Sequence, residues 1–239
     1  MVDPKMRWSL VIPMWEEAGR IGSCIERLAQ SPLNADDIEI ILVDDGSADG
    51  TAVLAKAAID RTSLNAKVLR HERNEGKGWA VRTGVLAAGG EVVGFVDADL
   101  STSPEDIVCV FTASEAGADV AIASRTHAKS VISDQQPLPR RVGGLGFNLV
   151  LRLLGITRFT DTQCGLKAFR GTAVRPLFEP MRTHRFAFDA ELLARARHLG
   201  LVVEEVPVTW RHVEYSRVAP LRDGWRMLRD AVRIRRAVR

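Results

Sequence analysis

Glu91-Val-Val-Gly-Phe-Val-Asp-Ala-Asp-Leu100 is an apolar run that ends in two carboxylates one residue apart. The segment 92–96 has the length and composition of a buried strand. Side chains alternate between the two faces of a strand, so Asp97 and Asp99 are expected to point the same way. Ligands of open α/β sheets bind beyond the carboxyl ends of the strands. This stretch therefore predicts a strand of such a sheet with an acidic site at its end.

The two carboxylates suit a divalent cation. They repel each other unless a proton or a cation lies between them. Oxygen ligands completed by phosphate oxygens are typical of Mg²⁺ and Mn²⁺ sites. We therefore predict that Asp97 and Asp99 hold Mg²⁺ or Mn²⁺. The alternative is that they cap a helix beginning near Ser103-Pro104-Glu105.

Two further strands also end in acidic residues. Glu39-Ile-Ile-Leu-Val is followed by Asp44 and Asp45, and Leu10-Val-Ile12 is followed by Pro13 and by Glu16-Glu17. Helix capping alone does not readily explain acids at three strand ends of one sheet. The pattern indicates a site for ribose, base and a metal-bound diphosphate.

A basic, glycine-rich segment, Arg73-Asn-Glu-Gly-Lys-Gly78, precedes a predicted helix. Backbone N–H groups at a helix start, together with Lys77, can hold a phosphate or a base carbonyl. An ordinary strand-to-helix turn is the alternative. The first strand is not followed by G-x-G-x-x-G, and the chain has no G-x-x-x-x-G-K-[ST], which argues against a dinucleotide-binding Rossmann site and a P-loop.

Composition narrows the class of protein and its compartment. The chain has 239 residues, which is long enough for one sizeable domain. Its formal net charge is +3. Its three scattered cysteines argue for a reducing compartment. We find no apolar signal region and no run of about 20 apolar residues, so we expect a cytoplasmic protein without a spanning helix.

Strand-like and helix-like segments alternate, which predicts a mostly parallel sheet. The predicted strands are Trp8–Ile12, Glu39–Val43, Ala66–Leu69, Val92–Asp97, Val120–Ala123, Gly165–Phe169 and Leu201–Val208. The predicted helices include Ile21–Gln30, Thr51–Ile59, Trp79–Ala88, Arg140–Leu154, Ala187–His198 and Leu221–Arg236. The polar stretch Thr126–Pro139 is predicted to be a loop.

Four segments resemble the nucleotide-sugar half of family-2 glycosyltransferases: Val11–Glu17, Val43–Thr51, Asn74–Gly78 and Val96–Ser101. Two later segments, Asp161–Phe169 and Phe186–Leu192, resemble the branch of dolichyl- or polyprenyl-phosphate glucosyl- and mannosyltransferases. The resemblance implies one GT-A domain over residues 1–217, an α/β fold with a mostly parallel central sheet flanked by helices. Its nucleotide-sugar half would span about 8–124 and its acceptor half about 125–217, before a basic amphipathic helix at 218–239.

The resemblance also implies roles for individual residues. The nucleotide sugar would be bound by Pro13, Glu17, Asp44, Asp45, Lys77, Asp97 and Arg217. The metal would be held by Asp97 and Asp99, and the acceptor phosphate by Arg125 with Arg140 or Arg141. The family usually has Tyr-Asn-Glu where this chain has Trp15-Glu-Glu17, so Glu16 replaces an amide by a charge.

The implied reaction is inverting transfer of a hexose from a nucleotide sugar to polyprenyl or dolichyl phosphate. We expect UDP-glucose as donor, with GDP-mannose second. A phosphate acceptor is already anionic, with its second pKa near ~6, and needs positioning rather than a base. Asp161 stands where a base could act on a hydroxyl acceptor, but we favour a positioning role; Asp189 either touches the site or lies on a helix surface.

Other classes of protein remain open at this point. A nucleotidyltransferase also uses paired carboxylates, but usually has a glycine-rich loop after its first strand. A nucleic-acid-binding module would fit the basic end, but the chain has one tyrosine and no interleaved aromatic and basic surface, so we expect no nucleic-acid partner. The sequence does not fix the oligomeric state.

The C-terminal segment predicts a helix lying on a membrane surface. Residues 222–239 contain seven arginines and two aspartates. Leu221, Trp225, Leu228 and Val232 form one apolar stripe, with arginines one position further along. Such a stripe suits peripheral binding at the cytoplasmic face of a membrane. The alternative is that the stripe packs on the domain.

Overall fold

Strands and helices alternate along the chain, as the sequence predicts. A computed structural model describes residues 6–134, 138–213 and 220–238, including all side chains except those of 138–140 and 220–223. The strands are β1 (Trp8–Met14), β2 (Ile38–Asp44), β3 (Ala66–Arg70), β4 (Val92–Val96), β5 (Val120–Ser124), β6 (Val131–Ile132), β7 (Leu166–Arg170), β8 (Val203–Pro207) and β9 (Thr209–Trp210). The helices are α1 (Ile21–Ala29), α2 (Thr51–Ile59), α3 (Lys77–Leu86), α4 (Pro104–Glu115), α5 (Leu138–Leu153), α6 (Gly171–Phe178), α7 (Phe188–His198) and α8 (Pro220–Ala237).

The central sheet has seven strands in the order β3-β2-β1-β4-β7-β5-β8. All neighbouring pairs are parallel except those of β7, which runs antiparallel to β4 and to β5. The predicted α/β class with a mostly parallel sheet is therefore confirmed. Because β7 runs the other way, its first residue, Leu166, pairs with Val96 at the carboxyl end of β4.

Helices cover both faces of the sheet, which explains why its inner strands, such as β2, β4 and β5, are largely apolar runs. Along β1, Leu10 and Ile12 join the core under α1, α2 and α4, whereas Val11 joins the core under α3, α6 and α7. A third apolar cluster lies between α5, α7 and α8. These layers fix the strand ends and hence the loops at the carboxyl edge.

The segment predicted as the loop 126–139 contains more structure than the sequence indicates. Within it, β6 pairs with β9 in parallel. Helix α5 begins at Leu138, so Pro139 lies in its first turn, where a missing N–H costs no intrahelical hydrogen bond.

The C-terminal helix packs on the domain, but not through the predicted stripe. Met227, Ala231 and Ile234 are buried in the cluster shared with α5 and α7. Trp225 and Val232 of the stripe are 74% and 42% exposed. The proposed domain limit between residues 217 and 218 falls outside the described residues and stays a prediction. Across the described ranges, no helix is both long and apolar enough to cross a membrane.

Gly94 in β4 tests the close packing of the sheet. A Cβ at this position would lie 2.5 Å from the carbonyl oxygen of Lys167 and 2.6 Å from Cζ of Phe111. We expect Gly94→Ala to lower the free energy of unfolding by about 1–3 kcal/mol, measured by urea denaturation. Gly22→Ala in α1 is the control, since its Cβ would meet nothing within 4 Å. The packing argument fails if the two variants have the same stability.

Candidate active site

The carboxyl ends of β1, β2, β4 and β5 meet at one edge of the sheet, and the predicted acidic and basic residues follow them. The antiparallel β7 begins at the same edge, so the segment 161–165 joins these ends. Asp97 N–H donates to the carbonyl oxygen of Gly165 at 3.1 Å. This edge is the candidate active site.

Lys77 and Asp97 form the centre of the site. Lys77 is the first residue of α3, and its Nζ lies 2.5 Å from Asp97 Oδ1. Burial alone lowers the pKa of the Lys77 ammonium, but the carboxylates of Asp97, Asp189 and Asp99 outweigh that effect and raise the pKa above its usual value. Lys77 is therefore a fixed positive charge beside the first carboxylate of the D-x-D pair.

One oxygen of Asp99 is engaged by Ser101 and the other has no partner among the described residues. Its Oδ1 accepts hydrogen bonds from the backbone N–H and the hydroxyl of Ser101, at 2.9 and 2.8 Å. Its Oδ2 makes no hydrogen bond with any described residue. The next residue, Leu100, has a φ of 44°, a left-handed conformation that a branched side chain rarely adopts. Such strain is concentrated at functional sites.

The D-x-D pair does not cap the following helix. Ser103 caps α4, because its hydroxyl accepts from Asp106 N–H at 3.1 Å and its own N–H donates to Asp106 Oδ2 at 3.0 Å. The capping alternative for Asp97 and Asp99 is therefore wrong. Within the described ranges no group of three or more His, Cys, Asp or Glu side chains could hold a metal ion. The pair fits a metal that takes its other ligands from a bound diphosphate.

The second acidic pair shapes the loop before α3. Asp45 is buried, and its oxygens accept from Glu75 N–H at 2.9 Å and Gly76 N–H at 2.8 Å. Its Oδ1 also lies 2.8 Å from His71 Nδ1. Asp44 lies 3.1 Å from Arg70 Nε. The nucleoside role of Asp44 and Asp45 stays a prediction; in the structure Asp45 holds the turn that precedes Lys77.

Hydrogen bonds connect the segment after β1 to the segment after β2. Glu16 has a φ of 56°, and its Oε1 accepts from Ala48 N–H at 2.8 Å. An asparagine side-chain oxygen could also accept a hydrogen bond from a backbone N–H. The glutamate at position 16, where the family usually has asparagine, is therefore compatible with such a contact. Glu17 pairs with Arg20, and its N–H donates to Thr51 Oγ1 at 2.8 Å. Pro13, the last but one residue of β1, is half-buried at the same edge.

Arg125 and Asp161 form a bidentate pair. Arg125 Nε and Nη2 each donate to an oxygen of Asp161 at 2.7 Å, and Arg125 N–H donates at 2.9 Å. Burial alone raises the pKa of Asp161, but the hydrogen bonds and charge of Arg125 hold that pKa below its usual value. Asp161 is thus an anion engaged by one arginine. Two of the five guanidinium N–H groups are used, and three remain for another anion.

Sequence reasoning missed a buried ion pair that lies next to the site, between Lys167 and Asp189. Lys167, fully buried in β7, donates to Asp189 Oδ1 at 2.6 Å and to the carbonyl oxygen of Cys164 at 2.8 Å. Burial raises the pKa of Asp189, and the ammonium groups of Lys167 and Lys77 oppose that shift. Asp189 is therefore inside the molecule beside Lys77, not on a helix surface. A lone lysine in the apolar run Leu166–Phe169 was the available signal.

The remaining predicted arginines are not brought together with these residues. Arg141 is exposed in the first turn of α5 and has no hydrogen bond or ion pair with another described residue. The Arg140 side chain and the whole of Arg217 lie outside the described residues. Their roles stay predictions.

One family of known proteins matches most of the chain. Residues 9–178 match the family described as glycosyl transferase family 2. That match covers well over half of the chain, so the chain belongs to this family and is a glycosyltransferase, as its motifs indicate.

Its relatives place it in a branch of that family. It is 32% identical over 241 residues to a dolichyl-phosphate beta-glucosyltransferase of Dictyostelium discoideum, covering 95% of this chain and 73% of that one. The enzyme of the same name from Drosophila melanogaster is 33% identical over 241 residues, covering 95% and 74%. The human one is 30% identical over 252 residues, covering 98% and 76%. The chain belongs to the same dolichyl- or polyprenyl-phosphate branch.

Solved structures confirm the GT-A fold. Glucosyl-3-phosphoglycerate synthase from Mycobacterium tuberculosis, in complex with Mn²⁺, UDP and glucosyl-3-phosphoglycerate, has a TM-score of 0.70 at 21% identity. The alignment covers 96% of this chain and 78% of that one. A further crystal structure of the same synthase has a TM-score of 0.71 at 22% identity, covering 96% and 79%.

Gly165 tests whether the position of Asp97 matters for transfer. A Cβ at Gly165 would overlap with the carboxylate of Asp97, which must then move while the backbone stays in place. We expect Gly165→Ala to lower the rate of glycosyl transfer at saturating substrates at least tenfold, with little change in Tm. Gly89→Ala, whose Cβ would meet Glu39 at an ordinary 3.6 Å, should transfer at the wild-type rate. Full activity of Gly165→Ala would contradict the role of this contact.

Proposed function

We propose that this glycosyltransferase moves glucose from UDP-glucose to polyprenyl or dolichyl phosphate, with inversion and with Mg²⁺ or Mn²⁺. The names of its relatives support the sugar and the acceptor, and the Mn²⁺ and UDP bound by the structural neighbour support the metal and the donor. GDP-mannose is the second candidate donor. The observation that carries the proposal is the Arg125–Asp161 pair, which suits an anionic acceptor.

On the donor side, Asp99 and Asp97 would hold the metal and Lys77 would lie beside the diphosphate. The metal would neutralise negative charge on the departing UDP. Asp99 Oδ2 has no hydrogen-bond partner within the described ranges, so it is available as a ligand. Lys77 forms an ion pair with Asp97. Its ammonium group would therefore supply a second positive charge beside the metal. Pro13, Glu17, Asp44 and Asp45 would form the nucleoside end, with Arg217 near the diphosphate.

On the acceptor side, Arg125 would hold the lipid phosphate with its remaining N–H groups. Charge-assisted hydrogen bonds from a fixed guanidinium give both affinity and orientation. A phosphate oxygen would attack the anomeric carbon, and the bond between that carbon and the UDP oxygen would break with its electron pair going to UDP. Arg141 or Arg140 would add a second contact from α5.

The reaction needs no general base in this scheme. Both oxygens of Asp161 are engaged by Arg125, and the lowered pKa of Asp161 makes it a poor proton acceptor. Asp161 is therefore a positioning residue. A hydroxyl acceptor would require a base, and this carboxylate is not free to serve as one.

A donor panel tests the proposed function. We would incubate the protein with UDP-glucose, UDP-galactose or GDP-mannose, a short polyprenyl phosphate and Mn²⁺, and identify products by mass and by the anomeric NMR signal. We expect a β-linked glucosyl product from UDP-glucose, lost when the metal is chelated. Asp99→Ala should retain less than a tenth of the activity, whereas Asp36→Ala, an exposed acid away from the site, should retain all of it. Transfer to free polyprenol instead of its phosphate would contradict the proposal.

We also propose that the protein binds peripherally to the cytoplasmic face of a membrane. A polyprenyl chain lies in a bilayer, so the site must approach one. The free state of the three cysteines fits a reducing compartment. The predicted stripe of α8 faces solvent, with Trp225 74% and Val232 42% exposed beside exposed arginines such as Arg229 and Arg233.

Helix α5 adds a second outward apolar face. Its buried side, with Phe147 and Leu151, packs in the cluster shared with α8. On its other side a row of large apolar residues, spaced three or four apart, is exposed: Val142, Leu145, Leu149 and Leu153. The outward apolar rows of these two adjacent helices would insert together into the interfacial region of the bilayer. The arginines of α8 would then contact anionic headgroups.

Vesicle co-sedimentation tests membrane binding. We expect Leu145→Glu with Leu149→Glu to reduce binding to phosphatidylglycerol vesicles at least tenfold, because charges replace the outward apolar row. Val53→Glu with Leu54→Glu is the matched control, since these exposed residues lie on α2. The control should bind like wild type, and binding should weaken with salt. Equal losses in both variants, or none in either, would contradict this surface as the membrane contact.

A further inference from the structure

A cavity outside the strand-end site lies between α8 and the segment before α7. Its volume is about 460 Å³. Four arginines line it, two on each wall: Arg182, Arg185, Arg229 and Arg233. Two carboxylates, Glu191 and Asp230, and His184 are also part of its wall.

The carboxylates of this cavity are already engaged. Glu191 accepts from Arg195 Nη2 at 2.6 Å, from Arg182 N–H at 3.1 Å and from Thr183 N–H at 2.8 Å. Asp230 lies 3.5 Å from Arg233 Nη1. Each carboxylate therefore has an arginine partner, and the four lining arginines exceed the two carboxylates by two charges.

Among the described residues, three guanidinium groups of this cavity have no protein partner. Those of Arg182, Arg185 and Arg229 make no ion pair or hydrogen bond with any described residue. Like charges that line one cavity repel, and a bound anion relieves that repulsion. Guanidinium groups match phosphate oxygens in geometry and bind them bidentately.

We propose that this cavity binds a phosphate group, carried either by a soluble phosphate compound or by the headgroup of an anionic lipid. Its volume leaves room for a phosphate and a small substituent. The anion would bridge α8 to the segment 182–185. The proposal does not depend on which sugar is transferred or on which acceptor is used.

Occupation of the cavity would stabilise a wall of the donor site. His184 stacks on Trp79 with ring centroids 4.2 Å apart, and its carbonyl oxygen accepts from Trp79 N–H at 3.1 Å. Gly76 lies so close to this segment that a Cβ there would be 2.5 Å from the His184 carbonyl oxygen. The turn before Lys77 is thus packed directly on the segment that carries Arg182 and Arg185. A phosphate bound in the cavity would link α8 to the segment 182–185 and so stabilise the turn that packs on this segment.

Binding measurements on the full chain test this inference. Isothermal titration would use inorganic phosphate in one arm and dihexanoylphosphatidylglycerol, below its micelle concentration, in the other. Dihexanoylphosphatidylcholine, which is zwitterionic, controls for apolar contact. Arg229→Gln with Arg233→Gln removes one wall, and Arg235→Gln with Arg236→Gln removes the same charge from the same helix outside this cavity.

We expect the cavity variant to bind at least tenfold more weakly than wild type, and the control variant to bind within twofold of it. Arg182→Gln, on the opposite wall and outside α8, should show the same loss, which guards against misfolding of α8. Binding of inorganic phosphate would identify a soluble ligand, and binding of the lipid alone a headgroup. If the phosphate were bound at Arg125 instead, its affinity would be the same in these cavity variants as in the wild type. Equal losses in cavity and control variants, or displacement of the probe by UDP, would overturn the proposal.

Discussion

The direction of one strand determines the site. Strand β7 runs antiparallel between β4 and β5 in an otherwise parallel sheet, so its first residues return to the edge where the other strands end. That reversal places Gly165 against Asp97 and brings Asp161 to Arg125. If β7 were parallel, the residues before it would lie at the opposite edge and the Arg125–Asp161 pair would not form.

Two charge pairs, one buried and one partly exposed, dominate the electrostatics of this edge. Removing ions from water costs several kcal/mol each, so a buried pair is weak evidence for stability alone. Lys167 and Asp189 lie beneath the site, while Lys77 sits on Asp97 within it. A series of alternating charges at one sheet edge fits a reaction in which a diphosphate leaves and a phosphate attacks. Positioning and charge neutralisation would supply the catalysis, rather than proton transfer.

The sequence predicts the first half of the fold well, because apolar runs and helix periods there are uninterrupted and each acidic pair follows a strand. It does not give the direction of β7, since a strand pattern is the same in either direction. It misses α6, which contains Pro176, and the two-residue strands β6 and β9. In α8 the predicted stripe with Trp225 is exposed, as expected for an outward face, but the sequence analysis misses the second apolar row with Met227, which tertiary packing buries. The Arg125–Asp161 contact spans 36 residues, beyond the reach of any local pattern.

A double-mutant cycle on Arg125 and Asp161 tests the central claim that the two residues act as one anion-holding unit. The measured quantity is kcat/KM for polyprenyl phosphate in Arg125→Ala, Asp161→Ala and the double variant. If Asp161 only positions Arg125, the double variant will be no worse than Arg125→Ala alone. If the two losses multiply, Asp161 has a separate role, such as that of a base, and the account is contradicted.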